Sequence, residues 1–155
     1  MKLTVKQGDL LAVNTGCIIH GCNAQGVMGA GVALAIKKKY PAAYTRYVQD
    51  LDIKQFHIKL GGVSWYTTPD STLTLCSAIT QEEFGNSGMK FVSYDAVDSC
   101  FSEIFDWYSG LLIDFHLPKI GAGLGGGSWE VIEQIIVDRA KVYDVSLDRI
   151  TVWEL

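Results

Sequence analysis

From Met1 to Gln7 the chain switches between apolar and polar from residue to residue, and Leu3 to Lys6 within this stretch reads as a strand. Gly16 to His20 has a different pattern. Cys17, Ile18 and Ile19 are consecutive apolar residues, as in a strand buried on both faces. A loop is expected from His20 to Gly31, followed by a helix with Val32, Ala33, Leu34, Ala35 and Ile36 as its apolar body. Lys37, Lys38 and Lys39 fall in its last turn, where cations complement the negative end of the helix dipole. Pro41 halts that helix and suits the first position of another, running through Tyr44, Tyr47 and Val48. Gly62 to Thr67 and Leu73 to Ile79 read as strands joined by a turn around Pro69 and Asp70. Ser93 to Tyr108 spaces Val97, Phe101, Ile104, Phe105 and Tyr108 three and four apart, which predicts an amphipathic helix. Leu111 to Pro118 reads as a strand, Trp129 to Ala140 as a helix and Arg149 to Leu155 as a closing strand. Strands alternating with helices predict a layered α/β domain with a mixed sheet.

The composition sharpens this picture. A chain of 155 residues, 48% hydrophobic and 19% charged, fits one domain over residues 1–155 with a single core. Thirteen basic against seventeen acidic side chains give a net charge of −4, which argues against bulk nucleic-acid binding. A small anion is not excluded, because a few backbone N–H groups can hold a phosphate without net positive charge. The amino terminus lacks the apolar stretch of a secretory signal and no run approaches a membrane span, so a cytoplasmic, membrane-free monomer is expected. Cys17, Cys22, Cys76 and Cys100 form no C-x-x-C pair, so neither a metal site nor a disulfide framework is expected, and the thiols read as buried.

The sixteen glycines are clustered. One cluster lies in His20-Gly21-Cys22-Asn23-Ala24-Gln25-Gly26-Val27-Met28-Gly29-Ala30-Gly31, the other in Gly121-Ala122-Gly123-Leu124-Gly125-Gly126-Gly127, and each follows an apolar strand and opens a helix. Unpaired N–H groups at such a helix start make a site for anions, and two loops imply two phosphates. Service in tight turns is the alternative account of the glycines. Gly121-x-Gly123-x-x-Gly126 formally matches the dinucleotide fingerprint, but Asp148 precedes the last strand instead of ending the second. A triphosphate-binding loop fails because Gly127 and Ser128 follow Gly126 and the required lysine is absent.

Gly8-Asp9-Leu10, Ile19-His20-Gly21-Cys22-Asn23, Met28-Gly29-Ala30-Gly31-Val32-Ala33, Pro118-Lys119-Ile120-Gly121-Ala122-Gly123-Leu124 and the closing Thr151-Val152-Trp153-Glu154-Leu155 together resemble the macrodomain family. The likeness is to the branch of the terminal ADP-ribose protein glycohydrolase and the yeast ADP-ribose-1″-phosphate phosphatase, and it spans nearly the whole chain. It implies a three-layer α/β/α domain with a mixed central sheet, binding ADP-ribose or ADP-ribose-1″-phosphate in a cleft at strand ends, without a cofactor. Asp9 would accept a hydrogen bond from the adenine amino group and Leu10 would offer backbone, although Asp9 also suits turn capping. Cys22 and Met28 to Val32 would line one end of the diphosphate site, Gly121 to Gly126 the other, and Trp153 to Leu155 the adenine side.

In the glycohydrolase branch a lysine follows the Ile-Thr element and an aspartate follows Gly-x-Gly-Leu; those places are Gln81 and Gly125 here. The lysine-dependent covalent route is therefore not available. The yeast phosphatase has a histidine before its small-Cys-Asn element, and that place is His20. The resemblance implies hydrolysis of ADP-ribose-1″-phosphate, with His20 and Asn23 in the reacting region and His20 as acid, base or nucleophile. Mere ribose binding by His20 is the alternative. Hydrolysis of ADP-ribose from a modified macromolecule and non-catalytic ADP-ribose reading remain open. His57 and His116 lack a partner motif, Lys90 has no spacing that requires it, and Glu82 and Glu83 read as solvated loop acids.

Overall fold

The computed structural model describes residues 2–54, 57–84, 90–123 and 125–155. Six strands are joined in the order β1-β6-β5-β2-β4-β3: β1 (Thr4–Gln7), β2 (Gly16–Asn23), β3 (Val63–Thr67), β4 (Leu73–Gln81), β5 (Phe115–Leu117) and β6 (Ile150–Glu154). All neighbours run parallel except β3, which is antiparallel to β4, so the sheet is mixed. The helices are α1 (Gly31–Lys39), α2 (Pro41–Leu51), α3 (Tyr94–Trp107) and α4 (Trp129–Val142), with short 3-10 turns at Leu10–Ala12 and Leu147–Arg149. Among the described residues no helix is long and apolar enough to cross a membrane.

Side-chain parity along β2 builds the three layers. Cys17 and Ile19 pack with Val97, Phe101, Ile136 and Val137 of α3 and α4, while Ile18 packs with Ile36 of α1 and Ala43 of α2. All three are fully buried, as expected of a strand covered on both faces. Farther along the same strand, Cys22 joins Met28, Tyr47 and Ile79 in a third cluster. Local chemistry sets the helix starts. The Ser93 hydroxyl accepts from the Ala96 amide at 3.2 Å to begin α3, and Pro41 occupies the first turn of α2.

Two strand boundaries differ from the sequence expectation by three residues or more. β2 does not end at His20 but runs to Asn23, because its pairing with β4 continues to Asn23 opposite Gln81, across a register shift after Cys22. β5 is only Phe115–Leu117: Leu111 and Leu112 are 60% and 80% exposed, and the ladder to β2 and β6 begins at Phe115.

Order in β2 and β5 places the site. The two strands are neighbours, yet the chain leaves β2 into α1 on one face and β5 into α4 on the other. A crevice must open where adjacent connections diverge, beyond the carboxyl ends of the strands. The core on the α3 side of the sheet is aromatic: the Phe105 ring lies 5.4 Å from Phe101 and 5.2 Å from Phe115. Phe105→Ala should lower the unfolding free energy by about 3–5 kcal/mol, measured by urea denaturation; a loss below about 1 kcal/mol would show that this layer does not carry the fold.

Candidate functional site

A cleft of about 680 Å³ occupies the crevice, between the segment from His20 to Ala33 on one side and Pro118 to Gly125 on the other, with Thr80, Gln81 and Phe84 behind. Asn23 shapes the first wall. Its Oδ1 accepts from the amides of Gln25 (3.0 Å) and Val27 (3.3 Å) and from the Tyr47 hydroxyl (3.0 Å), and its Nδ2 donates to the Val27 carbonyl at 2.8 Å. One amide hydrogen therefore remains for a ligand, since the carbonyl oxygen is fully used. Tyr44 adds a bond to the Gly26 carbonyl at 3.0 Å.

The turn held this way delivers the start of α1 to the cleft. Its N-cap is Ala30, which has no side chain able to accept from the first-turn amides, and no side-chain cap is made. Gly29, Ala30 and Gly31 are exposed and line the cleft with Val32. Met28 does not: it is 1% exposed and packs under the turn against Tyr47 and Ile79.

The second wall is a glycine loop folded on itself. The Gly127 amide donates to the Gly121 carbonyl at 2.7 Å, Gly126 to Gly123 at 3.1 Å, and Phe91 to Gly125 at 2.8 Å. A Cβ at Gly121 would meet Val92 at 2.7 Å, one at Gly125 the Gly121 carbonyl at 2.8 Å, and one at Gly127 Val92 at 2.5 Å. These glycines are required by the loop's own packing. Gly123 differs, because a Cβ there meets nothing within 4 Å. Gly121, Gly123 and Gly125 line the cleft; Ala122 and Gly126 are part of the same loop, and Leu124 lies outside the described residues.

Lys119 is the one formally charged side chain among the described residues lining the cleft. Its Nζ is 2.6 Å from Glu154 Oε1, and Gln7 donates to Glu154 Oε2 at 3.2 Å, which ties the second wall to β6 and β1. These bonds and the lysine charge hold the Glu154 carboxyl below its ordinary range. Lys119 and Val27 lie within the glycine-bearing motifs and Thr80 and Phe84 outside them, and the folded chain brings all four to the cleft.

His20 sits in mid-strand, not in a loop. It is 1% exposed, with Nε2 2.8 Å from the Ser77 hydroxyl and Nδ1 3.5 Å from Cys22 Sγ. Burial pushes its pKa down to about 4, so the ring is uncharged at neutral pH. It offers a lone pair at one ring nitrogen, and the single N–H it keeps at the other is too weakly acidic to serve as a general acid. Burial likewise raises the Cys22 thiol, which stays protonated.

The remaining sequence candidates stand apart. Asp9 Oδ1 caps the 3-10 turn by accepting from the Leu11 amide at 2.9 Å, and Leu10 is buried. Trp153 covers Gly8, where a Cβ would lie 2.9 Å from its ring, and its indole N–H donates to His116 Nδ1 at 3.0 Å. Leu155 is 99% exposed. Asp9 and Leu10 follow β1, Trp153 lies within β6 and Leu155 just after it, and none of them is among the lining of the cleft. Glu82 and Glu83 are exposed outside it, and His57 is in a positive-φ turn. Among the described residues no three His, Cys, Asp or Glu side chains converge as metal ligands.

The sequence model of the Macro domain matches residues 19–136. The chain is 32% identical over 166 aligned positions to the ADP-ribose 1″-phosphate phosphatase of Candida glabrata, covering 89% of each protein. It is 26% identical to the DNA ADP-ribosyl glycohydrolase of Mycobacterium tuberculosis over 87% of this chain and 38% of that protein. The solved macrodomain of Mycobacterium tuberculosis DarG superposes with a TM-score of 0.79 at 24% identity, covering 98% and 97% of the two chains.

The buried neutral imidazole couples stability to pH. Between pH 6.5 and about 4 the unfolded chain binds a proton at His20 that the folded chain refuses. The stabilisation is complete above pH 6.5 and is lost as pH falls through that window, by about 3 kcal/mol at most. Urea unfolding of wild type and His20→Gln from pH 7 to 4 should show wild type losing about that much more than the variant; parallel profiles would contradict the neutral, buried ring.

Proposed function

The chain belongs to the macrodomain family, and we propose that its cleft binds ADP-ribose and hydrolyses the phosphomonoester of ADP-ribose-1″-phosphate. The observation that carries this reading is the α1 start. A helix that opens on alanine leaves first-turn amides and the positive end of its dipole directed at a cleft whose one formal charge, among the described residues, is cationic. The diphosphate lies between Gly29 to Val32 and Gly121 to Gly125, the distal ribose over Gly21 to Asn23, and the adenine beyond β1 and β6 near Asp9 and Trp153. The likeness to the Candida glabrata phosphatase across 89% of both chains favours the phosphate ester as substrate.

In this reading water forms the new bond to phosphorus as the bond from phosphorus to the 1″ oxygen breaks. Amides and Lys119 stabilise the charge that gathers on the phosphoryl oxygens, the larger share of catalysis. With Nε2 at Ser77, Nδ1 is the nitrogen that takes the water's proton once its contact with the Cys22 thiol gives way, and the proton then passes to the departing 1″ oxygen. A base with a pKa near 4 supplies a smaller share. Release of ADP-ribose from DNA is the competing reaction suggested by the Mycobacterium relative. Gln81 stands at the place of that chemistry's lysine, and Gly125 has no room for an acidic side chain.

Incubation with ADP-ribose-1″-phosphate should release inorganic phosphate, and His20→Ala or His20→Asn should slow it about ten-fold or more while calorimetric ADP-ribose affinity changes less than three-fold. Equal turnover by wild type and both variants would remove His20 from the chemistry, and release of ADP-ribose from modified DNA without phosphate release would overturn the substrate assignment. Gly123→Ala separates binding from folding. Its methyl group enters open space, so stability should hold within about 0.5 kcal/mol while ADP-ribose affinity falls about ten-fold, whereas Gly125→Ala should cost about 1–3 kcal/mol of stability. Unchanged affinity in Gly123→Ala would remove this loop from the diphosphate site.

A further inference from the structure

A second hollow, of about 470 Å³, opens at the other end of the sheet, between the edge strand β3 and the last turns of α3. Thr74, at the start of β4, lines the hollow, while Thr80 and Gln81, at its end, line the cleft. The two sites are therefore about 20 Å apart along one strand. The Thr67 and Thr74 hydroxyls, 3.0 Å apart, lie on the sheet side of the hollow. Its walls are aromatic: the Trp65 ring lies 6.2 Å from Trp107 and 5.9 Å from Tyr108, tilted 54° to each. Glu103 Oε2 accepts from the Trp65 indole N–H at 3.1 Å, and Asp106 lies one turn of helix farther on.

Folding leaves two features of this place unexplained. The first is electrostatic. α1 and α4 carry basic residues in their last turns and α2 and α3 carry none, and at α3 Glu103 and Asp106 add their charges to the negative end of the dipole. All four charged residues of α3, Asp95, Asp98, Glu103 and Asp106, are acidic. The second is Trp107, which is 71% exposed beside the hollow. No Lys, Arg or His is found among the described residues that line it.

Electron-rich ring faces attract a cation most strongly where it is partly desolvated, and carboxylates at the rim neutralise it. A hard metal ion fits poorly, since it wants six or more oxygen ligands and rings supply none. We propose that the hollow between β3 and the end of α3 binds an organic cation, with an alkylammonium or guanidinium group against Trp65 and Trp107 and its charge met by Glu103 and Asp106. The group could belong to a free amine or to an arginine displayed on a peptide. The site is independent of the reading given to the cleft.

The indole N–H resonances of Trp65, Trp107, Trp129 and Trp153 locate binding in a ¹⁵N spectrum of the intact chain. Titration with agmatine should shift Trp65 and Trp107 and leave Trp129 and Trp153 in place; pentanamide, an uncharged probe, should shift none. Trp107→Ala and Asp106→Asn, both at exposed positions, should each weaken agmatine at least five-fold while the rest of the spectrum stays native. A short peptide with one arginine and neutral flanks that binds more tightly than agmatine identifies a peptide source, and weaker binding identifies a free amine. The proposal fails if neither agmatine nor the peptide moves Trp65 and Trp107 at millimolar concentration, if pentanamide moves them equally, or if both variants bind as wild type does.

Discussion

The parallel pairing of β2 between β4 and β5 is the constraint on which the rest of the molecule depends. Because β2 is covered on both faces, its register is set by Cys17, Ile18 and Ile19, and a slip of one residue would exchange the two cores. That register also fixes where the chain leaves the sheet. The turn after Asn23 and the glycine loop after β5 emerge side by side and depart to opposite layers, so the cleft is a by-product of the topology. Much of what borders it is glycine backbone, Gly29 and Gly31 on one side and Gly121, Gly123 and Gly125 on the other.

The same pairing puts a polar group into the interior at a definite cost. His20 occupies a mid-strand position on the face of α1 and α2, with Ser77 of β4 as its partner, and the fold keeps it uncharged by excluding water. Asn23 is treated in the opposite way. It is polar and nearly buried, yet four hydrogen bonds occupy it, and it spends them on shaping the turn that presents Ala30. One side chain is thus sealed in a neutral state, and the other shapes the backbone around the cleft.

Much of this was legible in the sequence, for particular reasons. The uninterrupted Cys17-Ile18-Ile19 run and the three-and-four spacing from Val97 to Tyr108 announced a buried strand and an amphipathic helix, because burial and period show directly in residue type. The two glycine clusters likewise marked the walls of the cleft. The end of β2 was not legible: Gly21 and Asn23 look like loop residues, and only the β4 partner keeps them extended. Gly21 is needed there for space, since a Cβ would stand 2.9 Å from Thr80 Oγ1. Nor could spacing separate Gly123, which borders open space, from Gly121, Gly125 and Gly127, which make room for Val92 and for one another. Lys119 and its tie to Glu154 depend on a contact across 35 positions, for which no local pattern exists.

The self-packed second wall also limits what evolution or a designer can do with this scaffold. Installing a lysine at Gln81 is a single exchange at a half-buried strand end, but an acid at Gly125 collides with the Gly121 carbonyl and must wait for the whole turn to be rebuilt. The lysine can thus be introduced alone, whereas the acid asks for a different loop path. Backbone shape, more than the choice of side chain, therefore limits which groups this wall can present.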